Sequence, residues 1–347
     1  MNSPFVDIVI LNHNGKKFLD ECFTSVLNGN YKNQKIYLLD NASTDDDVTY
    51  VRTHYPQIEI IQNPLNNGYC AAYNLAFEVC KSPYIVCLNN DVVVHPDWLN
   101  HLVELAESNQ NIAALQPKIL SYFNHDEFEY AGASGGMMDL WGYPFLRGRI
   151  FDHIEKDKAQ YNDITEVFWT SGAAMFIRKS ALDSCGVFDE TIVHHMDEID
   201  LCWRLRLSGY ELKVQPLSEI YHIGGASIPK NSFKKVYWNH RNSLYLLLKN
   251  YSFKNVLLFA TGHFLLDIIA AWTFLLQGNF TAFKAIAFAH VWILTNLRLI
   301  MKKRKVVQSI RIINDKKIMA VLYKGSIVWE SFVCNRNTYS SIKNYTI

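Results

Sequence analysis

The sequence predicts an α/β fold built on a mainly parallel, doubly wound sheet. Between residues 5 and 99, short runs of β-branched and other apolar residues alternate with segments whose apolar positions recur at helical spacing. Each run ends in polar or acidic residues and a turn, so that four strand-turn-helix units of about thirty residues or fewer follow one another. The predicted strands are Phe5–Leu11, Ile36–Asp40, Ile58–Ile61 and Tyr84–Leu88.

The segments between these strands carry the expected helix signals. A polar turn at residues 12–15 follows the first strand, and apolar residues from Phe18 to Val26 then recur at helical spacing. Residues 40–45 supply a turn and an N-cap for the second helix, and a third helix, with an apolar face, follows Gly68. The fourth strand is apolar on both faces, which is typical of a central strand in a parallel sheet.

Acidic residues stand where two of the predicted strands end. Asp40 ends the second strand, and Asn89, Asn90 and Asp91 follow the fourth. The carboxyl ends of parallel strands meet at one edge, where open α/β sheets bind ligands. Asp40 is therefore expected to accept a hydrogen bond from a nucleotide base, and Asp91 to hold a divalent cation on a diphosphate. In the alternative interpretation, Asp91 caps the helix that begins near Pro96.

Composition and charge exclude several classes of protein. With 347 residues and 49% hydrophobic content, the chain can bury a large core, which excludes a disordered or fibrous protein. A net charge of +1 gives no overall positive potential that would attract nucleic acid, so nucleic acid is not expected as a partner.

The seven scattered cysteines contain no C-x-x-C pair, which argues against zinc sites and favours a reducing cytoplasm. The first residues show no basic n-region and no cleavable apolar segment, so secretion is not expected. The first strand is not followed by G-x-G-x-x-G and the chain has no P-loop motif, which disfavours dinucleotide and P-loop chemistry.

The middle of the chain is where a second substrate is expected to bind. A flexible, small-residue segment at residues 131–136 is followed by the aromatic residues of 141–145 and by Arg147 and Arg149. Aromatic faces with nearby arginines suit sugar rings and phosphates. The alternative is a glycine-rich loop beside core aromatics. Residues 168–178 then predict a strand that is entered through a small-residue turn.

Asp197 and Glu198 open a predicted helix whose apolar face includes Leu201, Cys202 and Leu205. The helix dipole at this end favours an ionised carboxylate, the form that a general base needs. Glu198 lies on the apolar face and is expected to look inward, whereas Asp197 is turned away by about 100°. In the alternative interpretation, the two residues only satisfy the preference of helix N-termini for negative charge.

Two further strands are predicted after this helix. The first lies around Glu211–Val214, and the second ends in residues 220–227, which include His222 and two glycines. Taken alone, a single histidine of this kind is usually structural.

Several of these motifs together resemble family-2 glycosyltransferases, especially the rhamnosyltransferase-like branch. The resemblance rests on residues 6–14, on residues 38–45, on Asn67-Gly68 with Asn74, on residues 88–91 followed by 96–99, and on residues 197–210. The last segment is similar to the E-D-x-D-L-x-x-R-x-x-x-x-G-Y signature of these enzymes. The resemblance implies a GT-A fold that binds a nucleotide sugar through a D-x-D-type metal motif.

The resemblance also assigns roles to individual residues. Asp91 is expected to coordinate Mg²⁺ or Mn²⁺ as the last aspartate of the metal motif, although Asn89 occupies the first position. His222 belongs to an H-x-G-G element that approaches the diphosphate and would join Asp91 on the cation. Glu198 stands at the position of the catalytic base, and Asp197 remains the alternative because the acidic pair is inverted in residue type. The expected nucleotide-sugar-binding residues are Asn12, Asn14, Asp40 at the base, Asn41, Ser43, Asn67, Gly68, Asn74, Asn89, Asn90 and Gly172 beside the sugar.

The last hundred residues differ in composition from the predicted catalytic domain at residues 1–250. Two apolar stretches within residues 251–305, Asn255–Leu276 and Phe280–Ile300, predict helices that associate with membrane, and a basic cluster follows them at 302–305. We expect these helices to lie in the membrane interface. The alternatives are a spanning hairpin and helices that cover the catalytic core. Within the tail at 306–347, Ile318–Trp329 predicts a β-hairpin that turns at Lys324-Gly325.

The expected function is that of an inverting, metal-dependent hexosyl or deoxyhexosyl transferase. It would move a sugar from a nucleotide-diphosphate sugar to a hydroxyl of a glycan or lipid-linked acceptor in cell-surface polysaccharide synthesis. The expected location is cytoplasmic, on the inner face of the cell membrane. Two alternatives are a membrane-associated scaffold that has lost turnover, suggested by Asn89 and the inverted acidic pair, and a sugar-phosphate nucleotidyltransferase.

Overall fold

The computed structural model describes residues 3–224 and 232–342. Its strands are β1 (Val6–Asn12), β2 (Gln34–Asn41), β3 (Glu59–Asn63), β4 (Tyr84–Asn89), β5 (Val92–Val94), β6 (Ile112–Ser121), β7 (Gly136–Met138), β8 (Pro144–Leu146), β9 (Arg149–Ile150), β10 (His153–Ile154), β11 (Thr165–Glu166), β12 (Ala174–Arg178) and β13 (Glu211–His222). Nine of them form one mixed sheet, in the order β11-β13-β6-β12-β4-β1-β2-β3 with β5 beside β13. A second sheet has the order β10-β9-β8-β7.

The N-terminal half of the large sheet is parallel. The four strands β3, β2, β1 and β4 all pair in parallel, with Asn12 opposite Asp40 and Leu11 opposite Asn89. Their carboxyl ends therefore lie at one edge, as predicted. The other half is mixed, because β12 runs antiparallel to both β4 and β6, whereas β13 is parallel to β6.

Helices cover both faces of the large sheet. In chain order they are α1 (Lys16–Leu27), α2 (Asp47–His54), α3 (Tyr69–Val79), α4 (Trp98–Ser108), α5 (Lys179–Cys185), α6 (Asp197–Leu207), α7 (Phe233–Asn250), α8 (Phe253–Asn255), α9 (Thr261–Leu276), α10 (Phe280–Thr295), α11 (Leu297–Ser309), α12 (Asp315–Ile318) and α13 (Ile327–Phe332). One apolar layer joins the sheet to α1, α2 and α4, and the other joins it to α3, α5, α6 and α7. The alternating side chains of β1 show this division, since Ile8 and Ile10 enter the first layer and Val9 the second. The predicted doubly wound α/β fold is confirmed.

Two predictions about local structure in the first 250 residues were wrong. The strand predicted at Glu211–Val214 and the one ending at His222 are a single strand, β13, because an irregularity between Gln215 and Glu219 lets it stay paired with β6. The small-residue segment at 131–136 is packed rather than flexible, since all its residues after Ala131 are buried. The glycine-rich end of the 220–227 run, from residue 225, lies outside the described residues.

The predicted hairpin at Ile318–Trp329 does not form. Tyr323 instead donates a backbone hydrogen bond to Met138 and accepts one from Leu140, and Asp139 accepts a hydrogen bond from the backbone N–H of Ile327. The apolar residues of this segment therefore pair with the second sheet and not with each other.

The first apolar C-terminal stretch forms one long helix. A π-helical turn at Val256–Ala260 joins α8 to α9, so that Phe253–Leu276 is 24 residues long and apolar enough to cross a membrane. On α9 the polar residues His263 and Asp267 are buried, whereas apolar residues such as Ile269 are exposed. This is the reverse of the usual pattern for a surface helix in water.

The second apolar stretch is not one straight helix. It breaks at Asn296, where α10 and α11 meet with a bend of 71°. One face of α10, with Ala285, Ala289 and Ile293, is buried against the rest of the protein, and its other face, with Phe288 and Leu294, is exposed.

Candidate functional site

Asp47 organises the loops that follow β1 and β2. Its carboxylate is fully buried and accepts hydrogen bonds from the side chain of Asn12 (2.6 Å) and the backbone N–H of Gly15 (2.9 Å). The backbone N–H of Asn14 donates to the Ser43 hydroxyl (3.0 Å), and the backbone N–H of Ser43 donates to Asp40 (3.3 Å). The predicted residues 12, 14, 40 and 43 are thus held together. The sequence analysis did not predict this role for Asp47, because an aspartate in the first turn of a helix is common and indicates no contact with a distant loop.

The loop after β4 contacts the same group. The Asn90 side chain donates to the Asn12 amide oxygen at 2.6 Å. A Cβ atom on Gly15 would lie 2.1 Å from Asn90 Nδ2, so only glycine allows this approach of the two loops.

Asparagine side chains connect the loops after β2 and β3. Asn63 donates to Asn41 (2.7 Å) and to Asn67 (2.9 Å). Gly68 then adopts a φ of +99° before α3 begins. Asn74, in contrast, lies apart from the predicted nucleotide-sugar residues. Its amide is bonded to both backbone groups of Phe188 and to the side chain of Glu190, so it positions that segment.

Asp91 and His222 meet at the ends of β4 and β13. Both are 7% exposed, and His222 Nε2 donates to Asp91 Oδ1 at 3.1 Å. His222 Nδ1 lies 3.1 Å from a carboxylate oxygen of Glu129. Burial opposes protonation of His222, but Asp91 and Glu129 outweigh it and raise its pKa to about 10. The alternative that Asp91 caps a helix is wrong, because α4 begins at Trp98, after Asp97.

The donor set at Asp91 is suited to a divalent cation only with help from a ligand. Among the described residues, no group of three or more His, Cys, Asp or Glu side chains is arranged to hold a metal. The Asp91 carboxylate suits Mg²⁺ or Mn²⁺, and His222 would add an imidazole nitrogen once a bound cation displaces the Nε2 proton that it donates to Asp91. The two residues fit a cation whose remaining ligands are diphosphate oxygens and water.

Asp197 and Glu198 open α6, as predicted, but they differ in surroundings. Glu198 lines a cleft of about 660 Å³, whereas Asp197 is 7% exposed and does not line it. Burial and the neighbouring Glu198 raise the pKa of Asp197 well above its ordinary value. Burial also raises the pKa of Glu198, although a hydrogen bond from Asp197 opposes that shift. The predicted stabilisation of the ionised form by the helix N-terminus is therefore outweighed by burial.

The backbone before Asp197 is strained. His195 and Met196 have φ values of +62° and +67°, which non-glycine residues rarely adopt. The Asn242 side chain donates to the carbonyl oxygens of His194 (2.7 Å) and His195 (2.8 Å) and so stabilises this turn. Burial lowers the pKa of His195 to about 4, so its imidazole, which also lines the cleft, is neutral at pH 7.

The cleft adjoins the Asp91 site and contains part of the region predicted for the second substrate. Glu129, which contacts His222, is followed directly by Tyr130 and Ala131 in the cleft wall. Of the predicted arginines only Arg149 lines the cleft, since Arg147 is buried in an ion pair with Asp163. Wall residues that the sequence did not predict are His194, His195, Lys235, Asn239, His240, His263 and Phe332. They come from segments far apart in the chain, and no local motif connects them.

Gly172 lies beside the start of α3. The Tyr69 hydroxyl donates to its carbonyl oxygen at 3.1 Å, and a Cβ atom on Gly172 would lie 3.1 Å from that hydroxyl.

The long C-terminal helix docks beside the cleft through polar contacts. Asp267 accepts hydrogen bonds from His240 (2.6 Å) and His290 (2.9 Å), and it also lies 3.6 Å from His263 on its own helix. The ring of His263 stacks on Tyr143, another wall residue. The ionisable residues inside the apolar stretch are thus paired within the protein.

Comparisons with solved structures support the fold. The chain resembles GalNAc-T7, solved with UDP, GalNAc and Mn²⁺, at a TM-score of 0.56 and 15% identity over 72% of this chain and 48% of that one. It also resembles the mannosyltransferase PcManGT from Pyrobaculum calidifontis, which was solved with GDP-Man and Mn²⁺. That match has a TM-score of 0.52 and 14% identity, and it covers 89% of this chain and 86% of the other. The fold is therefore of the GT-A type, as the resemblance implied.

Sequence comparisons identify the family. An uncharacterized glycosyltransferase from Haemophilus influenzae is 25% identical over 43% of this chain and 47% of its own length. An N-acetylglucosaminyl-diphospho-decaprenol L-rhamnosyltransferase from Mycobacterium tuberculosis is 25% identical over 62% of this chain and 75% of its own. A pre-mycofactocin glycosyltransferase from the same species is 26% identical over 62% of this chain, which spans only 42% of that relative. The model described as "Glycosyl transferase family 2" matches residues 7–185, just over half of the chain, and the protein therefore belongs to glycosyl transferase family 2.

Proposed function

We propose that this protein is an inverting glycosyltransferase. It moves a hexosyl or deoxyhexosyl group from a nucleoside-diphosphate sugar to a hydroxyl of a lipid-linked glycan in cell-surface polysaccharide synthesis. The observation that carries the proposal is the position of Glu198 in a cleft whose wall includes Tyr130, the residue after Glu129, which contacts His222 beside Asp91. This connection supports a base for the acceptor and a site for the donor diphosphate in neighbouring parts of one active site.

Glu198 acts as the general base. Its carboxylate takes the proton from the acceptor hydroxyl while that oxygen attacks the anomeric carbon on the face opposite the diphosphate. One in-line displacement inverts the configuration. Burial and the neighbouring Glu198 raise the pKa of Asp197 well above its ordinary value, which favours its neutral form and leaves Glu198, in the cleft wall, as the carboxylate that faces the acceptor.

The donor lies along the carboxyl edge of the parallel strands. Asp40 accepts a hydrogen bond from an N–H group of the nucleotide base. The loops after β1, β2 and β3, which Asp47 and Asn63 hold in place, surround the nucleotide. Asp91 and His222 would hold Mg²⁺ or Mn²⁺, and the cation would supply positive charge beside the departing diphosphate. The two structural neighbours were solved with a nucleotide or nucleotide sugar and Mn²⁺, which supports a donor and cation of this kind.

The C-terminal helices support the proposed acceptor and location. The exposed apolar faces of α9 and α10 lie in the interface of the cytoplasmic membrane, on its inner face. In the basic cluster after α10, Lys302 and Lys305 are exposed, whereas Lys303 pairs with Asp189. The two exposed lysines are available to anionic headgroups. A lipid-linked acceptor at this surface is consistent with the diphospho-decaprenol named for the mycobacterial relative.

The test is turnover of nucleotide sugars. Purified protein is incubated with a panel of uridine, guanosine and thymidine diphosphate sugars and Mn²⁺, and release of the nucleoside diphosphate is measured. Release from one donor that stops when the cation is chelated is the expected result. No release from any donor, together with intact nucleotide binding, would favour the scaffold suggested by Asn89. Release of inorganic pyrophosphate from a nucleoside triphosphate and a sugar phosphate would favour a nucleotidyltransferase.

A further inference from the structure

Two cations line the Glu198 cleft and converge on one aromatic ring. The Arg149 guanidinium lies 4.1 Å from the centroid of Tyr130, and the Lys235 ammonium lies 5.6 Å from the same centroid. Arg149 comes from β9 and Lys235 from the first turn of α7, so two distant segments bring these charges together.

Within the part of the chain that the structure describes, neither cation forms an ion pair with a carboxylate, although Asp152 lines the same cleft. Among residues 3–224 and 232–342, Arg149 donates to the carbonyl oxygen of Phe151 (2.7 Å), and its Nε is buried without a hydrogen-bond partner. Lys235 is 9% exposed and its side chain has only the ring contact within that part of the chain. Burial lowers the pKa of Arg149 although Tyr130, Glu129 and Asp152 oppose the shift. A largely desolvated cation that forms no ion pair is costly, and an anionic ligand would supply the missing charge.

The chemistry of the two groups and the size of the cleft suit a phosphate group next to a sugar. A guanidinium binds phosphate through parallel N–H donors, and an ammonium binds it as a point charge. A volume of about 660 Å³ falls in the range of small-molecule sites and has room for both groups. Phe151 and Phe332, whose rings are 5.0 Å apart, add an apolar wall where a lipid chain would begin.

We infer that Arg149 and Lys235 form a subsite for the phosphate or diphosphate of the acceptor, separate from the Asp91 site for the donor diphosphate. The inference rests on the proposed function and adds to it the acceptor's anionic group and the residues that bind it. It predicts that the protein selects acceptors that carry a phosphate between sugar and lipid.

The test compares farnesyl diphosphate with farnesol as probes for the full chain. Isothermal titration measures each affinity in the wild type, in Arg149→Gln and in Lys235→Gln. The wild type is expected to prefer farnesyl diphosphate, and each substitution to remove about tenfold of that preference, since each deletes charge-assisted hydrogen bonds. Lys234→Gln, an equal change of charge at the exposed neighbouring residue, is the matched control and is expected to keep the preference.

Two further measurements keep the inference falsifiable. Lys235→Arg retains the charge and should retain the preference, and thermal unfolding shows whether the glutamine variants are folded. Binding of the nucleoside diphosphate with Mn²⁺ should be unchanged in both glutamine variants. Equal affinity for the two probes in the wild type, or loss of nucleoside diphosphate binding in Arg149→Gln, would overturn the inference. Absence of nucleotide binding in the wild type would instead reject the proposed function.

Discussion

The assignment of Glu198 as the base can be decided by two isosteric substitutions. Glu198→Gln removes the proton acceptor from the cleft and preserves the shape of the side chain. General-base catalysis typically contributes a factor of about 10² to 10⁴ in rate. At about 1.4 kcal/mol for each factor of ten, Glu198→Gln should therefore raise the activation barrier by about 3 to 5 kcal/mol.

Asp197→Asn is the matched control. Burial and the charge of Glu198 raise the pKa of Asp197 and so favour its neutral form, which an asparagine amide resembles in shape and in its lack of charge. We expect a loss of less than about tenfold in kcat, the size of one neutral hydrogen bond. The assay is release of nucleoside diphosphate in the presence of acceptor, with nucleotide binding measured separately to show that the donor site is intact. Full activity in Glu198→Gln, or a larger loss in Asp197→Asn, would refute the reasoning.

Glu198→Gln should also change the thermal stability of the protein, by an amount that depends on pH. Because burial raises the pKa of Glu198 in the folded protein, the folded state binds this proton more tightly than the unfolded chain does. The buried carboxylate therefore destabilises the fold increasingly as pH rises above the ordinary pKa of glutamate. Glu198→Gln should raise the thermal midpoint most at neutral and alkaline pH and least in acid. The acid limb of kcat/KM should also lie at higher pH than an exposed glutamate would give.

Three further predictions concern the rest of the site and the C-terminal helices. Asp47→Ala leaves two buried donors unpaired at about 1 to 3 kcal/mol each and should lower the free energy of unfolding in urea, whereas Asp46→Ala, at an exposed surface ion pair, should leave the urea midpoint unchanged. Asp91→Asn should shift the Mn²⁺ concentration needed for half-maximal activity upward by tenfold or so, as expected for the loss of a charged ligand; an unchanged titration would exclude Asp91 as a ligand. Ile269→Lys, on the exposed face of α9, should weaken sedimentation with anionic vesicles, whereas Val187→Lys, at an exposed apolar residue elsewhere, should not; equal effects would argue against an interfacial helix.

Much of the proposed donor site at the ends of β1 to β4 was predictable, because the sequence patterns that form it are local. The strands β1 to β4 are short apolar runs, and each ends in the polar residues that the parallel register brings to one edge. The acidic start of α6 and the ion pair between Asp200 and Arg204 follow from helical spacing. The predicted hairpin failed because its apolar residues found partners in another sheet, which no local pattern encodes.

The sequence by itself determined the α/β fold and placed Asp40, Asp91, Asp197 and Glu198 at the ends of strands and helices, because strand and helix periods depend only on near neighbours. Its motifs also indicated the family. Only the tertiary structure decided which acidic residue at the start of α6 lines the cleft and in which direction burial shifts the pKa of each. It also decided that Arg149 and Lys235 meet over one ring. Burial and charge pairing depend on segments that are distant in the chain, and their approach becomes defined only when the sheets and helices pack together.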